Sequence, residues 1–224
     1  GGGAAGAAEA AGGGGGAVPG VIRAEKGVVL ATGGFPHDRA RIAAMFEHAP
    51  DGTGHHSAAP ESNTGDGMRM AEAIGAVVAD DLVHPGAWAP VSLVPRKDGT
   101  VGRYPHLVER AKPGFIAVDA QGRRFVNEAD SYHDFMAALF RATPVGAEPV
   151  AWLIADYEAQ RRWGIGWAKP FPFPLGSYLK SGYLKRGLSI AELAKVCGMD
   201  PATLEATVET FNRNAVEGED PDFG

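Results

Sequence analysis

The sequence predicts two domains of different fold class, part of an α/β domain followed by an α+β domain. Residues 27–35 (GVVLATGGF) form a short apolar segment that ends in glycines, which is typical of a strand buried on both faces of a sheet. From Leu82 onward, short extended segments alternate with proline and glycine, and residues 115–127 have the pattern of a hairpin. We therefore divide the chain into a Gly/Ala-rich segment (1–20), an α/β part (21–82) and an α+β part (83–224).

The Gly/Ala-rich segment is predicted to be disordered, because such a composition buries too little apolar surface to offset the entropy of ordering the chain. Residues 1–6 formally match the dinucleotide-binding pattern G-x-G-x-x-G. That pattern binds a nucleotide only between a strand and a helix, and no strand precedes it here. We therefore expect no nucleotide site in this segment.

Two helices and a second strand are predicted to complete the α/β part. Apolar residues recur at helical spacing within residues 38–48, whereas residues 51–63 are rich in Gly, His, Ser and Pro, as in a loop. The next helix is predicted to begin at residues 64–67 and to continue through Ile74. A strand is predicted at residues 76–80.

The α+β part is predicted to be built on the hairpin. Its strands, residues 115–119 and 124–127, are joined by a turn around Gln121 and Gly122. A helix is predicted at about residues 132–141, and a strand at residues 152–154.

Two further helices are predicted near the end of the sequence. Ser189 and Glu192 have the spacing of a capping box, in which the two residues satisfy each other's free backbone N–H groups. Asp200 followed by Pro201 is the pattern of an N-cap with proline at the first helical position.

The composition excludes several classes of function. A formal net charge of -6 argues against nucleic-acid binding, which needs a basic surface. The single cysteine, Cys197, excludes an internal disulfide and a cysteine-based metal site, and we predict no metal centre. The sequence has no apolar run of about eighteen residues, as a membrane-spanning helix requires. It also lacks a signal-peptide pattern, so we expect a cytoplasmic location.

Two glycine-containing motifs are candidates for a cofactor site. The turn Ala31-Thr32-Gly33-Gly34 follows the predicted buried strand, at the edge where open α/β sheets bind cofactors; a tight turn without a ligand is the alternative. The motif Thr64-Gly65-Asp66-Gly67 sets small residues and a carboxylate at a helix start, where free backbone N–H groups can bind cofactor oxygens. The alternative for this second motif is plain N-capping by Asp66.

A third motif, residues 122–128 (GRRFVNE), is followed by Ala129-Asp130-Ser131-Tyr132. Together with VVLATGGF and TGDGM, in this order, it resembles the fumarate reductase and succinate dehydrogenase flavoprotein superfamily, and within it the branch of 3-ketosteroid Δ1-dehydrogenases. The resemblance covers residues 21–224. It implies that the first two motifs belong to a Rossmann-like FAD-binding domain and that the third belongs to an inserted α+β cap (substrate) domain, with the active site between them.

The resemblance also implies the cofactor and its contacts. FAD would be bound by the residues of the first two motifs, namely Ala31, Thr32, Gly33, Gly34, Thr64, Gly65, Asp66 and Gly67. The superfamily's pyrophosphate-binding strand–glycine–helix has no counterpart in the sequence, and neither has the carboxyl-terminal part of its FAD domain. We therefore expect the N- and C-terminal parts of that domain to be missing partners of this chain.

Two residues are candidates for catalysis on the strength of the resemblance. Desaturation beside a carbonyl removes a proton from one carbon and a hydride from its neighbour, so a base must face the flavin. In similar enzymes a tyrosine after N-E helps to remove this proton, and Tyr132 has the like spacing. The alternative for Tyr132 is an aromatic residue packed on the core at a helix start. Glu128 matches a glutamate that supplies protons in fumarate reductases, but residues 129–132 lack the arginine of their relay.

The sequence thus predicts a segment of a flavin-dependent dehydrogenase or reductase acting on carbon–carbon bonds next to a carbonyl, with a ketosteroid-like small molecule as substrate. One alternative is a fumarate/succinate-type dicarboxylate oxidoreductase. Another is a catalytically inactive truncated domain that serves as a binding or interaction module. The presence or absence of bound flavin distinguishes the enzyme from the inactive module.

Overall fold

The structure is a computed structural model that describes residues 20 and 22–224. The predicted disorder of residues 1–20 therefore concerns, apart from Gly20, residues outside the described part. The chain divides into two units. The first unit comprises Gly1–His55 and Ala59–Pro85, and the second comprises His56–Ala58 and Gly86–Gly224.

The first unit contains both of its predicted helices, α1 (Arg39–Met45) and α2 (Asp66–Ala73). Helix α1 begins where the Asp38 carboxylate accepts a hydrogen bond from the backbone N–H of Arg41, at 3.2 Å. The guanidinium of Arg41 donates two hydrogen bonds, of 3.0 and 2.8 Å, to the carboxylate of Glu72. This bidentate ion pair fixes α1 to α2.

The two strands predicted for the first unit do not form among the described residues. Residues 27–31 and 76–80 have no strand assignment, and Val29 and Val77 are 90% and 92% exposed. A strand gains its hydrogen bonds and its buried faces from neighbouring strands and helices. The described residues of this unit supply no such neighbour, and the apolar pattern alone does not make a strand.

The second unit contains two antiparallel strand pairs and five helices. Strand β1 (Val91–Pro95) pairs with β2 (Val101–Pro105), a hairpin that the sequence reading missed. Strand β3 (Phe115–Asp119) pairs with β4 (Ala151–Ala155). The helices are α3 (Tyr132–Ala142), α4 (Tyr157–Trp163), α5 (Gly176–Lys180), α6 (Ile190–Cys197) and α7 (Pro201–Glu217).

The predicted pairing of residues 115–119 with 124–127 is wrong. The turn is present, because the N–H of Gly122 donates to the carbonyl of Asp119 at 3.1 Å, but only one isolated bridge, between Val118 and Arg124, continues the pairing. Residues 125–127 do not continue this pairing, and the strand that pairs with β3 along its whole length is β4. The predicted strand at 152–154 is confirmed as part of β4.

Strand β3 is buried on both faces by different helices. Ile116 and Val118 pack with Ala194, Met199 and Leu204, which lie in or between α6 and α7. On the opposite face, Ala117 packs in a second cluster with residues before and within α3: Val126, Phe135 and Ala138. Because α3 begins at Tyr132, this packing places that residue on a helix held directly against the central strand.

Capping side chains define the starts of α6 and α7, as the sequence predicts. The hydroxyl of Ser189 accepts a hydrogen bond from the N–H of Glu192 at 3.1 Å, and the carboxylate of Asp200 accepts one from the N–H of Thr203 at 2.8 Å. Each bond satisfies one of the backbone donors left free at a helix start. The two predicted closing helices are confirmed.

Candidate active site

The two glycine-containing motifs of the first unit lie against each other. The N–H of Gly65 donates a hydrogen bond to the carbonyl of Gly34 at 3.2 Å. Gly67 packs on Thr32 so closely that a β-carbon on Gly67 would collide with the Thr32 hydroxyl oxygen. The glycine at position 33 has a φ of +79°, in the left-handed region that side chains disfavour. The structure therefore brings the Ala31–Gly34 turn and the start of α2 together.

Asp66 is not the N-cap of α2, so the alternative interpretation of this motif is wrong. The N-cap is Gly65, at a φ of +80°, and no side chain bonds to the free N–H groups of the first turn within the described structure. The Asp66 carboxylate forms an ion pair with Arg69 and accepts a hydrogen bond from the Thr64 hydroxyl at 3.2 Å. The ion pair with Arg69 offsets the negative charge of Asp66. The paired carboxylate therefore repels an oxygen-rich ligand at this helix start less than a free carboxylate would.

The turn itself is open to solvent. Residues 31–34 are all exposed, whereas Gly65 and Gly67 beneath them are buried. An exposed strip of backbone next to an uncapped helix start offers N–H and C=O groups to a ligand without a side chain in the way. This arrangement can bind a planar, oxygen-bearing group.

In the second unit, Glu128 is buried and fully engaged. Its Oε1 accepts hydrogen bonds from the backbone N–H of Ala117 at 2.8 Å and from Nε of Arg124 at 3.0 Å, and its Oε2 accepts one from Nη2 of Arg124 at 2.7 Å. Arg124 also donates two hydrogen bonds to Asp220, at 2.9 and 2.8 Å. The guanidinium of Arg124 holds the pKa of the Asp220 carboxyl below its ordinary value. Glu128 thus joins strand β3 to the loop before α3, and a proton relay through it would have to break these bonds.

Tyr132 stands at the first position of α3 and points its ring outward. The residue is 43% exposed, so the alternative of an aromatic side chain buried in the core does not describe it. The start of α3 is fixed by Ser131, whose hydroxyl accepts a hydrogen bond from the N–H of Asp134 at 3.1 Å. Among the described residues, none forms a hydrogen bond with the Tyr132 hydroxyl, which leaves this phenol free to meet a substrate.

A second tyrosine in this unit is held very differently. The hydroxyl of Tyr183 is 2.8 Å from the hydroxyl of Ser92 and accepts a hydrogen bond from the N–H of Trp167 at 2.7 Å. Burial raises the pKa of Tyr183 above its ordinary value, more than these hydrogen bonds lower it. The phenol therefore stays protonated at neutral pH and serves as a structural link between β1 and the loop around Trp167.

The loop before Tyr132 is also bound by an arginine that sequence reasoning missed. Arg110 is only 3% exposed, and its guanidinium donates hydrogen bonds to the carbonyls of Glu128 and Asp130, at 2.8 and 3.1 Å. Its partners are backbone oxygens 18 and 20 residues away in the sequence, and no motif or spacing marks such contacts.

A family model described as "FAD binding domain" matches residues 1–223 of the chain. The 4-oxocyclohex-2-ene-1-carboxylate 5-dehydrogenase of Sinomonas cyclohexanicum is 40% identical over 206 residues, which are 92% of this chain and 35% of that protein. A 3-oxosteroid 1-dehydrogenase of Mycobacterium tuberculosis is 34% identical over 213 residues, 92% of this chain and 36% of that protein. Fumarate reductases match at 28 to 29% identity.

Among solved structures, the chain is similar to the 3-ketosteroid delta1-dehydrogenase from Sterolibacterium denitrificans in complex with 1,4-androstadiene-3,17-dione. The TM-score is 0.74 at 30% sequence identity, over 92% of this chain and 36% of that one. The chain thus spans about 35% of the length of these two curated relatives. None of the helices formed by the described residues is long and apolar enough to cross a bilayer.

Proposed function

Because the chain belongs to the FAD binding domain family, we propose that it is the middle part of a flavin-dependent dehydrogenase that introduces a carbon–carbon double bond next to a ketone carbonyl. The observation that carries this proposal is the exposed phenol of Tyr132, with no hydrogen-bond partner among the described residues, on a helix start that the surrounding loop holds firmly. A base that must approach a substrate needs this combination of access and fixed position.

The residues of the first unit fit FAD. A flavin ring system is planar and carries carbonyl oxygens and ring nitrogens, and the exposed Ala31–Gly34 turn and the uncapped start of α2 supply backbone N–H groups suited to them. We assign the cofactor contacts to these two motifs, including Thr64, Gly65, Asp66 and Gly67. When bound, FAD supplies the acceptor for the hydride that leaves the substrate.

Tyr132 has the role of the general base in this proposal. Its phenol oxygen accepts the proton from the carbon next to the carbonyl, and its own proton passes to solvent, to which the side chain is open. The hydride leaves from the neighbouring carbon, so the substrate loses two electrons and gains a double bond. Glu128 contributes by anchoring the loop that carries Tyr132.

The proposal assigns the two parts of the chain to two domains. Residues 21–82 belong to the FAD-binding domain, and residues 83–224 form the cap domain that covers the substrate. Val28, Val29 and Val77 are exposed here, and the rest of the FAD-binding domain, which lies outside this chain, is proposed to cover them as neighbouring strands. A cytoplasmic location stays a prediction.

We propose a cyclic ketone as substrate, because two relatives at 40% and 34% identity are named for a cyclohexenone carboxylate and for 3-oxosteroids. The fumarate/succinate alternative is less well supported. Residues 129–132 contain no arginine, and the nearby Arg124 is paired with both Glu128 and Asp220, so it is not available to donate a proton to a dicarboxylate.

The experiment is anaerobic flavin reduction by the complete enzyme that contains this chain. The loss of the oxidised-flavin absorption band is followed after mixing with a 3-ketosteroid, with 4-oxocyclohexanecarboxylate or with succinate. We expect a cyclic ketone to reduce the flavin, and Tyr132→Phe to slow the reduction by about 10²-fold or more with little change in flavin content. Reduction by succinate alone would support the dicarboxylate alternative. Absence of bound flavin would support the inactive binding module.

A further inference from the structure

We infer that Arg110 is the positioning residue for Tyr132: its buried guanidinium fixes the chain immediately before and after the proposed base. This inference rests on the proposed function, in which Tyr132 removes the substrate proton. The contacts of Arg110 lie around Tyr132, so its effect on the reaction is exerted through Tyr132.

The guanidinium of Arg110 donates to four backbone carbonyls in two segments. The longest of these hydrogen bonds, 3.5 Å, joins Nη2 to the carbonyl of Leu107. Arg110 lies in a 3₁₀ turn, Glu109–Ala111, and its Nε donates a hydrogen bond to the carbonyl of His106 at 2.9 Å. Nη1 donates to the carbonyl of Glu128 at 2.8 Å, and Nη2 donates to the carbonyl of Asp130 at 3.1 Å. The turn at residue 110 and the loop at residues 127–131 are thereby held at one point.

The same guanidinium also contacts helix α3. It lies 4.6 Å from the centroid of the Phe135 ring, which is itself buried at 3% exposure. Asp130 is two residues before Tyr132, and Phe135 is three residues after it. Arg110 therefore contacts the chain on both sides of the proposed base. Two carbonyl hydrogen bonds lie before Tyr132 and one cation–π contact lies after it.

Arg110 differs from an ordinary buried arginine. Buried charges are usually paired with an opposite charge, and Arg124 in this unit follows that rule. Arg110 forms no ion pair with a carboxylate of the described residues, and all its hydrogen bonds go to carbonyl oxygens. Burial lowers the pKa of Arg110, against the opposing effect of nearby Glu109, Asp130 and Glu128. The hydrogen bonds that offset the free-energy cost of burying the Arg110 guanidinium are the same ones that fix the loop.

Tyr132 depends on its backbone for orientation. Its hydroxyl has no hydrogen-bond partner among the described residues and its ring is exposed, so its own side chain does not lock it. Proton transfer needs a donor–acceptor distance of about 2.6–3.2 Å, and a misplacement of about 1 Å can cost ~10²-fold in rate. Loosening the loop at Glu128 and Asp130 therefore slows the proton-transfer step in particular.

The test compares variants of the complete, flavin-loaded enzyme. Arg110→Met removes all guanidinium donors but retains an apolar chain of similar length, and Arg110→Lys retains a cation that cannot reach three carbonyls at once. Leu204→Ala is the control for stability, because Leu204 is fully buried in the cluster on the opposite face of β3. Flavin reduction is measured in single turnovers, with substrate that is protonated or deuterated next to the carbonyl.

We expect Arg110→Met to slow flavin reduction at saturating substrate by about 10- to 100-fold and to increase the deuterium isotope effect. Arg110→Lys should fall between Arg110→Met and the unmodified enzyme. Leu204→Ala should lose stability but keep the rate and isotope effect of the unmodified enzyme. Equal rates in Arg110→Met and Leu204→Ala, or an unchanged isotope effect in Arg110→Met, would overturn the inference.

A second measurement keeps the inference testable if Arg110→Met does not fold or if the proposed function fails. Amide hydrogen exchange in Arg110→Lys should increase for residues 127–135 and stay unchanged for strand β3. Unchanged exchange in residues 127–135 would overturn the inference. The proposed function fails if the unmodified enzyme shows no substrate-dependent flavin reduction, or if Tyr132→Phe reduces its flavin as fast as the unmodified enzyme. In that case the exchange experiment still tests whether Arg110 fixes the loop at residues 127–131.

Discussion

Glu128→Gln separates the two roles considered for Glu128, anchor and proton relay. The Glu128 and Arg124 side chains are only 8% and 5% exposed and joined by an ion pair of 2.7 Å. Breaking a buried pair by removing one partner typically costs ~3–5 kcal/mol. Arg124 retains Asp220, and the glutamine oxygen can still accept from Ala117, so we expect a loss below this range, about 2–3 kcal/mol of unfolding free energy.

The assay is urea unfolding of the complete enzyme, followed by single-turnover flavin reduction of the folded variant. If Glu128 is an anchor, the Glu128→Gln variant should be less stable. The rate of flavin reduction in its flavin-loaded fraction should stay within about threefold of the rate of the unmodified enzyme. Asp220→Asn is the matched control, since it removes the charge of the other partner of Arg124. The Asp220 side chain is 24% exposed, so this variant should lose less unfolding free energy than Glu128→Gln. A stability loss below about 0.5 kcal/mol together with a rate loss above ~10²-fold would refute the anchoring role.

Three further outcomes are expected. Gly67→Ala should lower flavin content, because the new β-carbon collides with the Thr32 hydroxyl, and adding Thr32→Ala should restore part of it; no recovery in the double variant would contradict this. The lowered pKa of Asp220 contributes stability that is present above its unfolded pKa, near 3.8, and lost as the pH falls through the folded pKa, so Asp220→Asn should flatten the acid side of the stability curve. The isolated chain should bind FAD at least about a thousandfold more weakly than the complete enzyme in a fluorescence titration, because we predict that the pyrophosphate site is supplied by another part of the complete enzyme.

The sequence predicted α1, α2, α3, α6 and α7, but it missed α4 and α5. Where a helix was predicted, its start is decided locally. Asp38, Ser189 and Asp200 each cap a helix through a hydrogen bond to a residue three positions ahead, so the signal and its consequence lie in one short segment. Strand pairing is decided over longer distances. Residues 115–119 have an acceptable partner in 124–127, yet only one bridge forms there, and nothing local reveals that residues 151–155 supply the full pairing instead.

In the candidate site, too, local features were predictable from the sequence and long-range contacts were not. The sequence predicted that the motif at residues 31–34 and the motif at residues 64–67 belong to one site, and the hydrogen bond between Gly65 and Gly34 joins them. The alternative interpretation of Asp66, as the N-cap of α2, is wrong, because Gly65 takes the N-cap position in a left-handed conformation. The cofactor contact predicted for Asp66 stays a prediction. Arg110 left no sequence signal at all, since any loop can offer carbonyl oxygens to a buried guanidinium.

The apolar segment at residues 27–31 was predicted to be a buried strand, and the structure has no strand there. Three bulky apolar residues in succession, Val28, Val29 and Leu30, are unfavourable on a surface, yet all three are exposed here at 62%, 90% and 45%. A strand of a parallel sheet obtains both its hydrogen bonds and its two buried faces from neighbours that are distant in sequence. The chain spans 35% of the length of the Sinomonas cyclohexanicum relative. We therefore predict that the exposed segment is where the remainder of the proposed FAD-binding domain attaches, and that the proposed cofactor turn, Ala31–Gly34, depends on that attachment for its rigidity.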